Sequence, residues 1–240
     1  MPFLTAEWIN LLMANYEVDP ALLRAHVPRG TELDEWNGVH YASLVAFLFR
    51  DTRVRGIRMP GHHTFEEVNL RFYVRYRDGF EWKRGVVFVK EIVPRRLICW
   101  VANTLYGESY VCHPMRHSFR KEAHSLHVSY EWQVGDAWNH FRAEAHAEAL
   151  PLVQGSEEEF ITEHYWGYTP LRNGQTGAYQ VAHPSWRIHP VNSYSVDCSF
   201  GSLYGEAFGA ALTGTPKSVF LAEGSPIKVM SGSRVPLARS

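Results

Sequence analysis

The chain has 240 residues, 45% hydrophobic and 20% charged, enough to bury a large core and unlike a disordered segment. Its formal net charge of -1 supplies no basic field for nucleic acid or an anionic membrane. Cys99, Cys112 and Cys198 are scattered without Cys-x-x-Cys spacing, which argues against a disulfide framework and a cysteine zinc site.

In chain order, MPFLTAEW lacks a basic segment followed by an apolar one, so no signal peptide is expected. Trp8 to Tyr16 is predicted as a strand. Asp19-Pro20 opens a short helix, with Asp19 as N-cap and Pro20 at the first helical position. Asn37-Gly38 is a turn signal before a strand from His40 to Arg50. The longest apolar stretch, around Tyr41 to Phe49, is too short to span a bilayer, and a cytoplasmic location is the simplest expectation.

The clearest periodicity lies in Glu66 to Arg77. Val68, Leu70, Phe72, Val74 and Tyr76 alternate with Glu67, Asn69, Arg71, Tyr73 and Arg75, giving one apolar and one polar face. Asp78-Gly79 turns the chain into Val86 to Val93, an apolar run interrupted only by Lys90-Glu91 and expected of a strand covered on both faces. A second hairpin follows, Leu126 to Val134 and His140 to Ala149, around Gly135-Asp136. The alanines of its second arm favour a helix by propensity, but their strict alternation with charged residues predicts a strand. Ser156-Glu157-Glu158-Glu159 reads as a capping box opening a helix that carries Phe160 to Tyr165. Asn173-Gly174 predicts a hairpin turn before a strand from Tyr179 to His183. Ser202 to Leu212 reads as a short helix interrupted by glycines. Pro216 to Met230 closes the chain with strands bent at Gly224-Ser225-Pro226.

Many strands and few helices predict a β-dominated α+β fold. The expected form is a large, mostly antiparallel β-barrel or curled sheet. No linker divides the chain, so one domain over residues 1–240 is expected. Aromatic residues make up 14%, which suits strands and an aromatic-lined cavity.

The segments TELDEWNGVHYASLVAF, FEEVNLRFYV, RGVVFVKEIVPRR, FITEHYWGY, VAHPSW, YGEAF and PKSVFLAEGS, in that order, resemble the uncharacterised YqjF-like family of bacterial proteins (domain of unknown function 2071). That family is similar in turn to the acetoacetate decarboxylase-like superfamily. The resemblance implies a barrel with an internal ligand cavity and supplies no settled activity. In acetoacetate decarboxylases a Gly-Phe-Pro-Lys turn carries the Schiff-base lysine. Here the matching residues are Gly107-Glu108-Ser109-Tyr110, so Tyr110 stands at the nucleophile and Val111 at its cationic neighbour. Neither replaces its counterpart. Lys90 lies nearby in sequence and could reach the cavity from another strand, but it is expected to face solvent.

Glu67, Asn69, Arg71 and Tyr73 share one strand face. If that face lines the cavity, Arg71 is the natural clamp for a carboxylate and Glu67 an acid/base group. If it faces water, these are ordinary cross-strand neighbours. The equivalent strand of acetoacetate decarboxylases also carries a pocket glutamate, as the resemblance implies. Glu67 and Tyr110 are therefore the candidate catalytic residues. Arg71, Asn69, Tyr73, Glu163, His164 and Trp186 are the candidate substrate-binding residues. Histidine beside carboxylate, as in Glu163-His164, is a common way to set a tautomer, although a structural role fits His164 as well. Trp186 and Tyr204 are candidate cavity walls.

His140, Glu144 and His146, with His62, His63, His113 and His117, do not match metal-ligand spacing, so no metal is expected. Ser185 has no nucleophile-elbow context, and no Gly-rich loop suits a nucleotide, so no cofactor is expected. The predicted partner is a small-molecule ligand, with no nucleic acid and no membrane, and a homo-oligomer is left open. The leading functional expectation is binding, with or without turnover, of a small organic acid or carbonyl compound without a Schiff-base lysine. Its alternatives are a non-catalytic ligand-binding or sensor module and a structural homo-oligomer whose cavity is filled.

Overall fold

The computed structural model describes residues 2–58, 60–105, 107 and 109–236. Its elements in chain order are β1 (Leu4–Glu17), α1 (Pro20–Arg24), β2 (Glu32–Leu33), β3 (Tyr41–Val54), β4 (Ile57–Arg58), β5 (Phe65–Asp78) and β6 (Glu81–Val93). Then come α2 (Arg96–Leu105), β7 (Tyr110–Cys112), β8 (Met115–Lys121), β9 (Ser125–Val134), β10 (Ala137–His146) and α3 (Glu157–Thr162). The last are β11 (Trp166–Pro170), β12 (Thr176–Ala182), β13 (Ile188–Asp197), α4 (Phe200–Tyr204), α5 (Glu206–Leu212), β14 (Ser218–Val229) and β15 (Ser233–Arg234). None of the described helices is long and apolar enough to cross a membrane.

The strands form one sheet in the order β15-β12-β11-β6-β5-β3-β1-β14-β13-β10-β9-β8, with β2, β4 and β7 pairing on β5, β3 and β6. Neighbours are antiparallel except β11 on β6 and β7 on β6. The sheet curls until β12 also meets β14, through Val181↔Val229 and Ala182↔Lys228. The far wing, β13-β10-β9-β8, folds against the outside of this curl.

This double layering explains why the longest strands are buried on both faces. Along β3, Leu44, Ala46 and Leu48 join the core between the curl and the wing. The alternate residues Val45, Phe47 and Phe49 point into the curl. On β5, Val68, Leu70, Phe72 and Val74 fill the outer core. The polar set Glu67, Asn69, Arg71 and Tyr73 therefore lies inside the curl, and all four are buried. In the wing, Leu126, Val128, Tyr130, Trp132, Phe141, Ala143 and Ala145 turn inward, so the alanine-rich arm is a strand.

Local signals explain the joints. Asp19 caps α1 by accepting from the Ala21 amide at 2.7 Å. Asn37 and Gly38 both take positive φ, 52° and 81°, as a tight hairpin turn requires. The helical segment Ser202 to Leu212 is in fact two helices, α4 and α5, broken at Gly205. Ser156 caps α3 by accepting from the Glu159 amide at 3.2 Å, while the Glu159 carboxylate accepts from the Gly155 amide at 2.6 Å. The helix does not reach Tyr165. It ends at Thr162, because Glu163 leaves the helical region with ψ 43° and the chain turns toward the pairing of Trp166 with Gly85. Glu163, His164 and Tyr165 form the connector into β11.

Candidate functional site

The interior of the curl holds a cavity of about 320 Å3. Its walls are mostly apolar, with Trp8, Phe47, Phe49, Phe65, Phe88 and Trp186 as the large aromatic contributors. One side is formed by α2, through Leu97, Ile98, Val101 and Ala102. The His183 ring stacks on Trp186 with centroids 4.1 Å apart, and burial lowers the His183 pKa.

Against these walls stands a small polar group. The Glu67 carboxylate accepts from Asn69 Nδ2 at 3.0 Å and from the Tyr110 hydroxyl at 3.1 Å. Asn69 follows Glu67 by two positions on the strand, so the pleat aims both inward. Tyr110 arrives differently. It opens β7, which pairs in parallel with β6 so that Tyr110 stands opposite Glu91, another buried carboxylate lining the cavity. Asn103 of α2 fixes its backbone by donating to the Tyr110 carbonyl at 2.9 Å and accepting from its amide at 2.8 Å.

Arg71 extends the same face of β5, beside a bulge in its pairing with β6 between Leu70 and Arg71. Bulges often re-aim side chains next to functional sites. Arg71 is 8% exposed. Its Nη2 donates to the Ile161 carbonyl at 3.3 Å and approaches Met13 Sδ at 3.8 Å. Its guanidinium carbon lies 5.7 Å from the Tyr73 ring centre. Its Nε is buried with no hydrogen-bond partner among the described residues. No carboxylate among them forms an ion pair with it.

His164 lines the cavity and is held from behind by Asp34, with Nε2 to Oδ2 at 3.2 Å. Asp34 also accepts from Arg84 Nε at 2.6 Å. Burial alone would raise the Asp34 carboxyl, but hydrogen bonds from His164 and Arg84 outweigh it and hold it well below the usual carboxylate range. Burial lowers the His164 pKa, with Arg84 and Arg71 adding to the effect and Asp34 opposing it.

Of the residues predicted from sequence, Glu67, Asn69, Arg71, Tyr110, His164 and Trp186 line this cavity. Tyr73 and Glu163 are not among its lining residues. The Tyr73 hydroxyl bonds to Ser43 Oγ at 2.7 Å and its ring packs on His164, so it supports the site from below. Glu163 accepts from the Tyr165 hydroxyl. Tyr204 belongs to the outer core and does not wall the cavity, because α4 packs outside the curl. Lys90 is half-buried rather than solvent-facing and donates to the Leu203 carbonyl on that same outer side. No lysine lines the cavity among the described residues. Two positions of the Tyr106–Val111 turn, Tyr106 and Glu108, lie outside those residues. His140 bonds to Ser195 at 2.8 Å on the exposed face of the wing. Among the described residues no three His, Cys, Asp or Glu side chains gather in metal-ligating geometry.

Sequence reasoning passed over Asp34, Glu91 and His183 as site residues. Glu91 had a usable signal, a lone carboxylate inside an apolar strand. Asp34 had none, since its partner His164 is 130 positions away.

The DUF2071 family, described as an uncharacterised conserved protein, matches residues 5–226. The chain belongs to this family. A DUF2071 relative, the uncharacterised protein YqjF of Bacillus subtilis strain 168, is 31% identical over 173 residues, spanning 69% of this chain and 67% of YqjF. The fold of this DUF2071 member is acetoacetate decarboxylase-like. The acetoacetate decarboxylase of Legionella pneumophila superposes with a TM-score of 0.64 at 15% identity, covering 98% of this chain and 88% of that one. An acetoacetate decarboxylase-like enzyme from Sphingomonas wittichii gives 0.66 at 11% identity, covering 98% and 94%. The enduracididine biosynthesis enzyme MppR, in complex with pyruvate, gives 0.65 at 13% identity, covering 98% and 91%.

Proposed function

We propose that the cavity binds a small organic acid or carbonyl compound, with Arg71 as the clamp for its carboxylate. The observation that carries this reading is a buried guanidinium with an unpartnered Nε and no carboxylate paired to it among the described residues. Burying an unpaired charge costs several kcal/mol, so such a group is expected to meet an anion. The guanidinium fork matches two carboxylate oxygens. The apolar walls suit the carbon body of the ligand. The fold neighbour MppR has been captured with pyruvate, a small 2-oxo acid, which supports the same ligand class.

Beside the clamp, Glu67 and Tyr110 form a carboxylate–phenol pair fit for proton transfer at a carbon next to a carbonyl. The imine route has no amine to use here, because no lysine lines the cavity among the described residues. A second reading, ligand binding without turnover, is favoured by the preponderance of aromatic walls, which provide affinity without chemistry. The structural reading is not favoured, since about 320 Å3 of the interior is left open by side chains.

The test is calorimetric titration of a panel of small carboxylates and matched neutral amides, followed by NMR of the incubated mixtures for product. Binding of acids over amides supports the clamp. Product formation separates the catalytic reading from the binding-only one. Equal binding of acids and amides removes the clamp.

A further inference from the structure

We propose that His164, oriented by Asp34, makes the cavity select carboxylates bearing a hydroxyl on the adjacent carbon, the class of small 2-hydroxy acids with an apolar or aromatic body. This rests on the carboxylate-binding reading of Arg71 and adds the group that recognises the neighbouring substituent.

The Asp34 carboxylate accepts from the Arg84 guanidinium and is almost fully buried, with its side chain 2% exposed. An ionised carboxylate accepts hydrogen bonds and donates none, so the proton between Asp34 and His164 belongs to His164 Nε2. In the neutral ring that tautomer leaves a lone pair on Nδ1. The His164 side chain is 1% exposed, it lines the cavity, and its Nδ1 is buried with no partner among the described residues. Asn69 Oδ1 is a second buried acceptor without a partner among them, on the same strand face as Arg71.

Arg71, His164 and Asn69 all line the cavity, and the side-chain atoms they leave without a partner among the described residues are a donor, Arg71 Nε, and two acceptors, His164 Nδ1 and Asn69 Oδ1. A plain carboxylate carries acceptors only. It answers Arg71 and leaves both acceptors unmatched, each a desolvated polar atom with a cost. A hydroxyl beside the carboxylate supplies the missing donor. An ammonium there is disfavoured, because it would share a neighbourhood with Arg71 and Arg84, the cations that already act on His164. Trp8, Phe47, Phe49, Phe65 and Trp186 then receive the carbon body.

The experiment compares 3-phenylpropanoate with 2-hydroxy-3-phenylpropanoate by calorimetry on the whole protein. The wild type is expected to bind the hydroxy acid about tenfold tighter, the worth of one well-made buried hydrogen bond. His164→Phe is expected to bring the two affinities within about twofold by weakening the hydroxy acid alone. A second readout needs no variant. The imidazole 15N resonances of the wild type should report a new hydrogen bond at His164 Nδ1 on adding the hydroxy acid and none with the plain acid. Equal binding of both acids by the wild type overturns this inference and leaves the carboxylate clamp standing. A preference kept by folded His164→Phe, or an unmoved Nδ1 signal in the hydroxy-acid complex, also overturns it. Failure of both acids to bind counts against the clamp itself and removes this inference with it.

Discussion

Tyr110 donates its phenolic hydrogen to the Glu67 carboxylate at 3.1 Å, although 43 positions separate them in sequence. Glu67 is aimed by the pleat of β5, and Tyr110 by the parallel pairing of β7 on β6. A phenol hydrogen-bonded to a carboxylate thus stands at the position that the resemblance to acetoacetate decarboxylase aligns with a nucleophilic lysine.

The covalent chemistry tests that alignment. Incubating the wild type with acetoacetate and borohydride is expected to trap no adduct by mass spectrometry, because a phenol forms no imine. Tyr110→Lys should gain weak trapping, since an amine against apolar walls loses solvation and its pKa falls. Val111 provides no cationic neighbour, so the gain is expected to be small. Trapping at Lys90 in the wild type would contradict its placement outside the curl, against the Leu203 carbonyl.

Arg71 separates binding from stability. Arg71→Ala should weaken a carboxylate ligand by about 1.5–3 kcal/mol, the usual worth of a hydrogen bond to a charged group. Without ligand, Arg71→Met is expected to leave Tm unchanged or raise it, since the variant no longer desolvates an unpaired charge. A clear fall in Tm would mark Arg71 as a structural residue held by Ile161 and Tyr73.

The Asp34–His164 pair is expected to contribute to the acid limit of stability. The His164 pKa in the fold lies below its ordinary 6.5, so the unfolded chain takes up the proton first and stability falls as pH drops below about 6.5. Asp34 is depressed below its ordinary 3.8, so its contribution is present above that value and lost as pH falls through its lower folded pKa. Thermal denaturation from pH 8 to pH 4 should show Tm falling on acidification. His164→Phe should flatten the part of that slope near pH 6, and an identical slope would mean that other histidines with lowered pKa values, such as His183 and His26, carry it.

Gly224 is a backbone requirement of the curl. It has φ 83°, and a Cβ there would lie 2.1 Å from the Trp8 carbonyl oxygen on the neighbouring strand. Gly224→Ala should cost at least about 2 kcal/mol in chemical denaturation, by strain and by separating β14 from β1. A neutral variant would show that the two strands part there without penalty.

The strands and turns that rest on local chemistry were legible in the sequence. Period-two alternation predicted β5, β9 and β10, and the Asp19 and Ser156 caps predicted the starts of α1 and α3. The end of α3 was not legible, because Glu163 leaves the helix where β11 begins to pair with β6, a partner far along the chain. The candidate site was legible wherever one strand carried it. Glu67, Asn69 and Arg71 share a face of β5 by spacing alone.

By itself the sequence determined that β5 has two unlike faces, that the chain is rich in strands, and that Tyr110 stands where the resemblance to acetoacetate decarboxylases would put a lysine. Only the tertiary structure decided which face of β5 is enclosed. Alternation reports that two faces differ, and it says nothing of what covers each. That depends on the curl bringing β12 to β14 and on the wing closing over the other side, both set by pairings between distant residues. The same reason hid Asp34, which joins His164 only because β2 and the connector before β11 lie side by side with β5 and β6 in the folded sheet.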